Sequence, residues 1–259
     1  MIPRALTIAT SDSGGGAGIQ ADLKAFAAAG VYGTSALVAL TAQSTTAVTA
    51  VHELPPDFIR AQLDAIFDDI GADAAKTGML FSRTIIETVA EFLERRPVTL
   101  VVDPVLIASS GAQLLQDDAV ESLIQRLFPL AAVVTPNLPE AETLTGLSGA
   151  SRRDLAERLV ELGAAAAVVT GGHGDPPVDH LFDGHEHIEL PVERHPVAAT
   201  HGAGCTHSAT LAALLARGLP LVEAARGASA AASAAVRNGL VEIGAGEGPV
   251  DVLNVKGRA

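Results

Sequence analysis

The chain has 259 residues, 48% of them hydrophobic, with 17 Lys+Arg against 30 Asp+Glu for a formal net charge of −13 at pH 7. That length and apolar content suffice for a large core in one α/β domain, while the acidity argues against partners such as a nucleic-acid backbone or an anionic membrane surface. One cysteine rules out an intrachain disulfide, no apolar run reaches bilayer length, and the residues before the first motif are too few and too uncharged for a signal peptide, so a cytoplasmic protein is expected.

Residues 5–10 form an apolar run that ends in Ser11-Asp12-Ser13-Gly14-Gly15-Gly16, after which Ile19, Leu23, Phe26 and Ala27 recur at helical spacing: strand, glycine loop, helix. The loop has neither the spacing of the dinucleotide fingerprint nor the Gly-Lys-Ser/Thr ending of a P-loop. It reads either as a tight turn or as a place where backbone amides and Asp12 face a small ligand. Gly30 closes the helix, and residues 34–41 form a buried strand with Ala42-Gln43-Ser44-Thr45 at its carboxyl end, where open parallel sheets bind ligands. Pro55-Pro56-Asp57 opens a helix carrying Phe58, Ile59, Leu63, Ile66 and Phe67 that stops near Gly71.

A short strand at 72–76 leads into Thr77-Gly78-Met79, a helix spans 82–95, and a strand at 98–102 ends in Asp103-Pro104. The alternation continues with a helix at 117–128, a strand at 132–135, helices at 139–145 and 152–162, and a strand at 165–170. Strands this uniformly apolar are covered on both faces. Runs at 178–182 and 185–190 flank Asp183-Gly184, a two-residue hairpin signal, and form a local antiparallel pair. An Ala-rich helix at 220–239 and an irregular, partly mobile tail at 244–259 complete the chain. With no linker or repeat, the pattern predicts a single domain over 1–259, a three-layer α/β/α sandwich around a mostly parallel central sheet. His185, His187 and His195 are expected to be exposed loop residues.

The stretch 200–209, Thr200-His201-Gly202-Ala203-Gly204-Cys205-Thr206-His207-Ser208-Ala209, runs from a glycine turn straight into a helical pattern at Leu211, Leu214 and Leu215. It reads as an anion cradle: Gly202 and Gly204 allow close backbone approach, and the first free amides of a helix favour negative charge. Cys205, in the first turn of that helix, is expected to have a lowered pKa and to accept a proton. A glycine turn holding a small buried cysteine is the plainer alternative.

Four collinear stretches carry a resemblance: 11–24, Thr41-Ala42-Gln43, Thr135-Pro136-Asn137-Leu138-Pro139-Glu140-Ala141-Glu142, and 201–208. Together they resemble the hydroxymethylpyrimidine and phosphomethylpyrimidine kinases of thiamine biosynthesis, within the ribokinase-like superfamily, from residue 6 to about residue 249. The resemblance implies two successive phosphoryl transfers from ATP, to 4-amino-5-hydroxymethyl-2-methylpyrimidine and then to its monophosphate. It makes Cys205 the catalytic base and the amides of Gly202 to Cys205, with Gly202 and Gly204 as catalytic positions, the phosphoryl cradle. Gln43 would read the aminopyrimidine, with Asp22, Thr41, Met79 and Val105 completing the pocket and Thr10 intruding where the family usually has glycine. Asn137 and Glu140 form the superfamily's Asn-x-x-Glu, Glu140 holding Mg²⁺ through water with help from Asp103. Gly171, Gly172, His173, Ala203 and Thr206 would lie beside the nucleotide, and the protein would be a homodimer. Ser109 and Thr170 stand where relatives often carry lysine, so two cations near ATP are missing. A pyridoxal-type vitamin kinase on the same fold is the closest rival, and the intact motifs argue against a catalytically silent relative.

Overall fold

The computed structural model describes residues 1–106, 117–171 and 177–258. In chain order the described elements are β1 (Arg4–Asp12), α1 (Gly18–Ala28), β2 (Tyr32–Gln43), β3 (Val48–Glu53), α2 (Pro56–Ala65), β4 (Ala74–Thr77), α3 (Arg83–Arg95), β5 (Thr99–Val102), α4 (Asp117–Ser122), β6 (Val133–Val134), α5 (Leu138–Thr145), α6 (Arg152–Glu161), β7 (Ala167–Val169), β8 (Val178–Phe182), β9 (His187–Pro191), α7 (Ala203–Ala216) and α8 (Leu221–Arg237). All nine strands among the described residues lie in one sheet of order β3-β2-β1-β4-β5-β6-β7-β8-β9. Its centre is parallel; β3, β8 and β9 pair antiparallel at the two edges.

Alternation within the strands builds two cores. Leu6, Ile8, Val102, Val134 and Val169 pack with side chains of α2 to α6, among them Ile59, Leu63, Ile86, Leu123, Leu144 and Leu155. Their neighbours Ala5, Val101, Val133 and Val168 turn to the other face, against Phe26 of α1, Leu211 and Ala212 of α7, and Ala224 and Ala228 of α8. This is the expected three-layer α/β/α sandwich with a mostly parallel sheet. The period of two within strands decides which helix each residue meets. The loops after β1, β2, β4, β5 and β6 leave from the carboxyl edge, which gathers Asp12, Gln43, Thr77, Asp103 and Asn137 on one side.

Three local differences have physical reasons. β3 is absent from the sequence expectation because, as an edge strand with mostly accessible side chains, it shows no buried apolar run. The hairpin turn takes four residues, not two: Phe182 pairs with His187, and the Asp183 carboxylate accepts from the amides of His185 and Glu186, so β9 starts at His187. His185 is exposed, but His187 is a half-buried strand residue whose Nε2 meets Glu157, and His195 bonds Ser233. The tail is irregular yet tied down, since Val250 donates to His201 O, Leu240 donates to Pro249 O, and buried Asp251 accepts from the amides of Val255 and Lys256. Among the described residues no helix is long and apolar enough to cross a membrane.

Candidate active site

Two glycine turns, far apart in sequence, interlock at the carboxyl edge of the sheet. Asp12, at the end of β1, is buried, and its carboxylate accepts from the amides of Gly14 (2.7 Å), Gly16 (3.0 Å) and Ala17 (2.9 Å). It also meets His201 Nε2 at 3.2 Å. The first glycine loop therefore turns these amides inward onto Asp12; they do not face a ligand, which corrects one of the two readings of that loop. His201 opens the second turn. Gly202 follows at φ 83°, and a Cβ there would lie 1.9 Å from Gly16 O. Only glycine satisfies both the left-handed backbone and the contact. At Gly204, by contrast, an added Cβ would meet nothing within 4 Å.

Gly202 caps α7 without a side-chain bond. The amide of Ala203 is taken by Thr200 O and that of Thr206 by Gly202 O. The amides of Gly204 and Cys205, in the first turn, have no partner within the helix and point where an anion would sit. The first turn of α7 thus has donors to offer an anion. Thr206 is buried at 1% exposure with its hydroxyl unpartnered in the interior, so its side chain forms no part of an open nucleotide surface.

The Cys205 thiol departs from expectation. Burial pushes it up to about 12; Lys76 and the Gly18 amide pull it down, while Asp103 and Asp22 push it further up. The helix-start argument counted one local dipole, and desolvation with two carboxylates outweighs it. Ser208 of α7 meets a buried ion cluster. Lys76, from the middle of β4, sits 3.0 Å and 3.1 Å from the two Asp22 oxygens and 3.3 Å from Asp103 Oδ2. Burial alone would lower the lysine pKa, but Asp22, Cys205 and Asp103 together hold it in the ammonium form. Thr7 donates to Asp22 Oδ2 at 2.6 Å and Ser208 to Asp103 Oδ2 at 2.7 Å. Asp22 is thus enclosed, with Thr7 and Lys76 as its partners.

Gln43 ends β2. Ser13 pins its backbone, donating to Gln43 O and accepting from Gln43 N, both at 2.8 Å. Thr41 Oγ1 lies 3.0 Å from Ser11 O and 3.1 Å from Gln43 Oε1. Its single hydrogen serves one of them, and either way the carboxamide keeps one free acceptor site and at least one free donor. A cavity of about 280 Å³ opens beside Gln43, between Ser44, Thr45, Thr46, His201 and the tail residues Gly246 and Glu247. Met79, Val105 and Cys205 are not among its walls. Thr10 does not project freely: at 3% exposure its hydroxyl donates to Met79 O at 3.0 Å, which brings Thr10 and Met79 together.

Asn137 and Glu140 form a reciprocal cap on α5. Asn137 Oδ1 accepts from the Glu140 amide and Glu140 Oε2 from the Asn137 amide, each at 2.9 Å. Burial, then the charge of Asp103, pushes Glu140 up to about 8. Two carboxylates sharing a buried region create the deficit that a cation relieves. Gly171 packs against β8, where a Cβ would fall 1.8 Å from Val178 O, and its amide donates to Asp179 at 2.7 Å. Its glycine is explained by that packing. Gly172, His173 and Ser109 lie outside the described residues, and the amide of Thr170 donates to Pro136 O.

Sequence reasoning missed Lys76, Ser208 and the Asp12–His201 pair. A lysine inside Ala74-Ala75-Lys76-Thr77 was a visible signal, because charged side chains in buried strands are rare unless paired. The other two needed the tertiary contact.

A family model described as phosphomethylpyrimidine kinase matches residues 12–251. The hydroxymethylpyrimidine/phosphomethylpyrimidine kinase of Rhizobium meliloti (strain 1021) is 49% identical over 253 residues, 95% of each chain. The thiamine biosynthesis bifunctional protein ThiED of Geobacter sulfurreducens is 50% identical, and the chain spans about half of it (51%). Among solved structures, an ADP complex of Bacillus subtilis pyridoxal kinase superposes with a TM-score of 0.90 at 37% identity, covering 99% of each chain. Phosphomethylpyrimidine kinase from Clostridium difficile 630 gives a TM-score of 0.79 at 41% identity, over 88% of this chain and 96% of that one. On the interlocked glycine turns, the capped Asn-x-x-Glu helix and these matches, the chain belongs to the phosphomethylpyrimidine kinase family.

Proposed function

We propose that this kinase, as one domain over residues 1–259, transfers a phosphoryl group from ATP to the hydroxymethyl oxygen of 4-amino-5-hydroxymethyl-2-methylpyrimidine, and then a second to the resulting monophosphate. The observation that supports it most is the α7 start: free amides of Gly204 and Cys205 beside the only cysteine, held by the Gly202–Gly16 contact. Phosphoryl transfer asks a protein chiefly for positioning and charge stabilisation, and this turn offers both. Gln43 reads the exocyclic amine and adjacent ring nitrogen of the pyrimidine through its acceptor and donor. Met79, Val105, Thr41 and Thr10 back the ring, and Asp22 acts from beneath through Lys76.

The residues present fit Mg²⁺. Asp103 raises the pKa of buried Glu140, and a cation beside the two carboxylates would relieve that repulsion. Mg²⁺ takes few carboxylates and keeps waters and phosphate ligands. When bound it would neutralise phosphate charge and bring the pKa values of Glu140 and Cys205 down. Asn137 faces the phosphates, and Gly171 and Ala203 edge the nucleotide. A homodimer belongs to the same reading: the outer edge of β3 and the exposed Leu40 of β2 are open to a second copy, which sedimentation across concentrations reads.

Cys205→Ala tests the chemistry. The alcohol must lose its proton as the bond to phosphorus forms, so losing a positioned base slows that step roughly 10²- to 10⁴-fold. The monophosphate is largely ionised near neutral pH, with a second pKa of about 6, and needs little help. Single-turnover rates on each substrate give the answer; equal slowing would make Cys205 a structural residue. A pyridoxal-type ring is the second reading, supported by the likeness to the pyridoxal kinase. Comparing turnover on pyridoxal and on the pyrimidine alcohol separates the two.

A further inference from the structure

The cavity beside Gln43 has a wall that the reaction as described so far does not use. Gln43 and the loop after β2 form one side, and His201 with the tail residues Gly246 and Glu247 forms the other; Glu247 is the one carboxylate in this lining. The tail is held there by its backbone. The Gly246 amide donates to Thr45 Oγ1 at 3.2 Å, and a Cβ on Gly246 would fall 2.0 Å from Thr45 O. On the other flank, Gly248 O accepts from the His201 amide, and a Cβ on Gly248 would fall 2.3 Å from Leu240 O. Glu247 is thus carried on a turn clamped from both sides, and Thr200 Oγ1 donates to its Oε2 at 3.0 Å. A carboxylate has about four acceptor sites, and that bond takes one. The lining hydroxyls serve the protein itself: Ser44 Oγ lies 3.1 Å from Thr46 Oγ1, and Thr45 Oγ1 holds the Gly246 amide. The strongest acceptor left to a ligand is therefore the Glu247 carboxylate, since charged acceptors hold donors about twice as strongly as neutral ones.

We propose that Glu247 is a specificity-determining residue: its carboxylate accepts the second hydrogen of the exocyclic amine whose first hydrogen goes to Gln43, and so selects a ring bearing an amine over one bearing an oxygen there. The inference rests on the aminopyrimidine as substrate. An amine on the ring has two hydrogens, and the free acceptor site of Gln43 serves one of them. A ring with an oxo group or a phenolic oxygen in that place, such as pyridoxal, sets a lone pair against the carboxylate, which supplies the repulsive element that discrimination uses. Glu247 is exposed, so water screens part of the effect, and the selection is expected to be about tenfold, far below what an enclosed polar site gives.

Calorimetric binding to the full chain without ATP tests it. The probes are 4-amino-5-hydroxymethyl-2-methylpyrimidine and its 4-oxo analogue, which differ at the one group that Glu247 is assigned to read. The wild type is expected to bind the amine more tightly. Glu247→Ala should reduce that preference about tenfold, and Glu247→Lys, which offers a donor, should weaken the amine and tighten the oxo ring. Both variants alter an exposed side chain whose bond within the protein is to the Thr200 hydroxyl, so the fold is kept. A merely structural role in the cavity wall would weaken both rings alike and leave the preference unchanged. Equal wild-type affinity for the two rings, an unchanged preference in Glu247→Ala, or shifts of the same sign for both rings in Glu247→Lys overturns the proposal. Failure of the wild type to bind either ring removes the aminopyrimidine reading and this one with it, whereas a preference that survives both substitutions removes the role of Glu247 alone.

Discussion

At the scale of single residues, Glu140 shows how one carboxylate carries two jobs in conflict. Its Oε2 caps the backbone of α5, which favours the charged form, yet burial and Asp103 raise its pKa from 4.5 to about 8. Between those values the folded state holds a proton that the unfolded chain has released, so stability contributed through this group falls as pH rises from about 4.5 to 8. Glu140→Gln keeps an oxygen for the Asn137 amide and removes the charge. We expect the metal-free variant to match the wild type at pH 5 and to exceed its thermal stability at pH 8.5, while needing markedly more Mg²⁺ for half-maximal rate. Melting curves at the two pH values and a Mg²⁺ titration check both halves. A variant less stable at pH 8.5 would assign Glu140 to capping alone.

Gly202 and Gly204 look alike in the sequence and differ in the structure. Gly204→Ala adds a methyl that meets no protein atom, in a helix where alanine is favoured over glycine by roughly 1 kcal/mol. The fold should be unharmed or firmer, so any loss of turnover reports a ligand over the amides. Gly202→Ala must abandon φ 83° or collide with Gly16 O and should destabilise by more than about 1 kcal/mol. Measuring stability and kcat for both variants separates scaffold from site; full activity in Gly204→Ala would place the phosphoryl group elsewhere.

At the scale of elements, the central strands and most helices were legible because each has a local cause. Strands buried on both faces read as apolar runs, and the ends of α2, α5 and α6 carry proline or side-chain caps. What escaped was set by neighbours. β3 forms because β2 offers it an edge, from Ala39 opposite Glu53 to Gln43 opposite Val48, and its own sequence is too exposed to announce it. The helices at 56–70 and 117–130 each lose their α-geometry in a π turn, at Ile66–Ile70 and at Leu123–Leu127, the second followed by a 3₁₀ turn at Phe128–Leu130, which periodicity does not resolve. The motif residues were readable as a set, and their electrostatics were not. A lowered Cys205 pKa follows from the helix start alone, whereas the raised one follows from burial and from Asp103 and Asp22, contributed by two other parts of the chain.

At the scale of the whole molecule, the site is a seam between the two ends of the chain. β1 delivers Asp12, the turn before α7 delivers His201 from 189 positions away, and the tail at Gly248 and Val250 brackets His201 on its backbone. Burial alone would raise the Asp12 pKa; His201 and the amides of Ala17 and Gly14 outweigh it and hold the carboxyl below its usual value. The stability it contributes is therefore fully present above the ordinary carboxylate range and is lost as pH falls through its lowered folded value. Asp12→Ala leaves the amides of Gly14, Gly16 and Ala17 without their acceptor, each buried orphan costing about 1–3 kcal/mol before the loop relaxes. We expect a net loss of roughly 2–4 kcal/mol near pH 7, shrinking toward zero in acid as the wild-type carboxylate protonates. Turnover should fall with it, because Asp12 ties His201 and the Gly202 turn to the glycine loop. Denaturant midpoints at pH 7 and pH 3 read the difference. An equal deficit at both would mean that Asp12 acts through its shape in the turn and not through its charge.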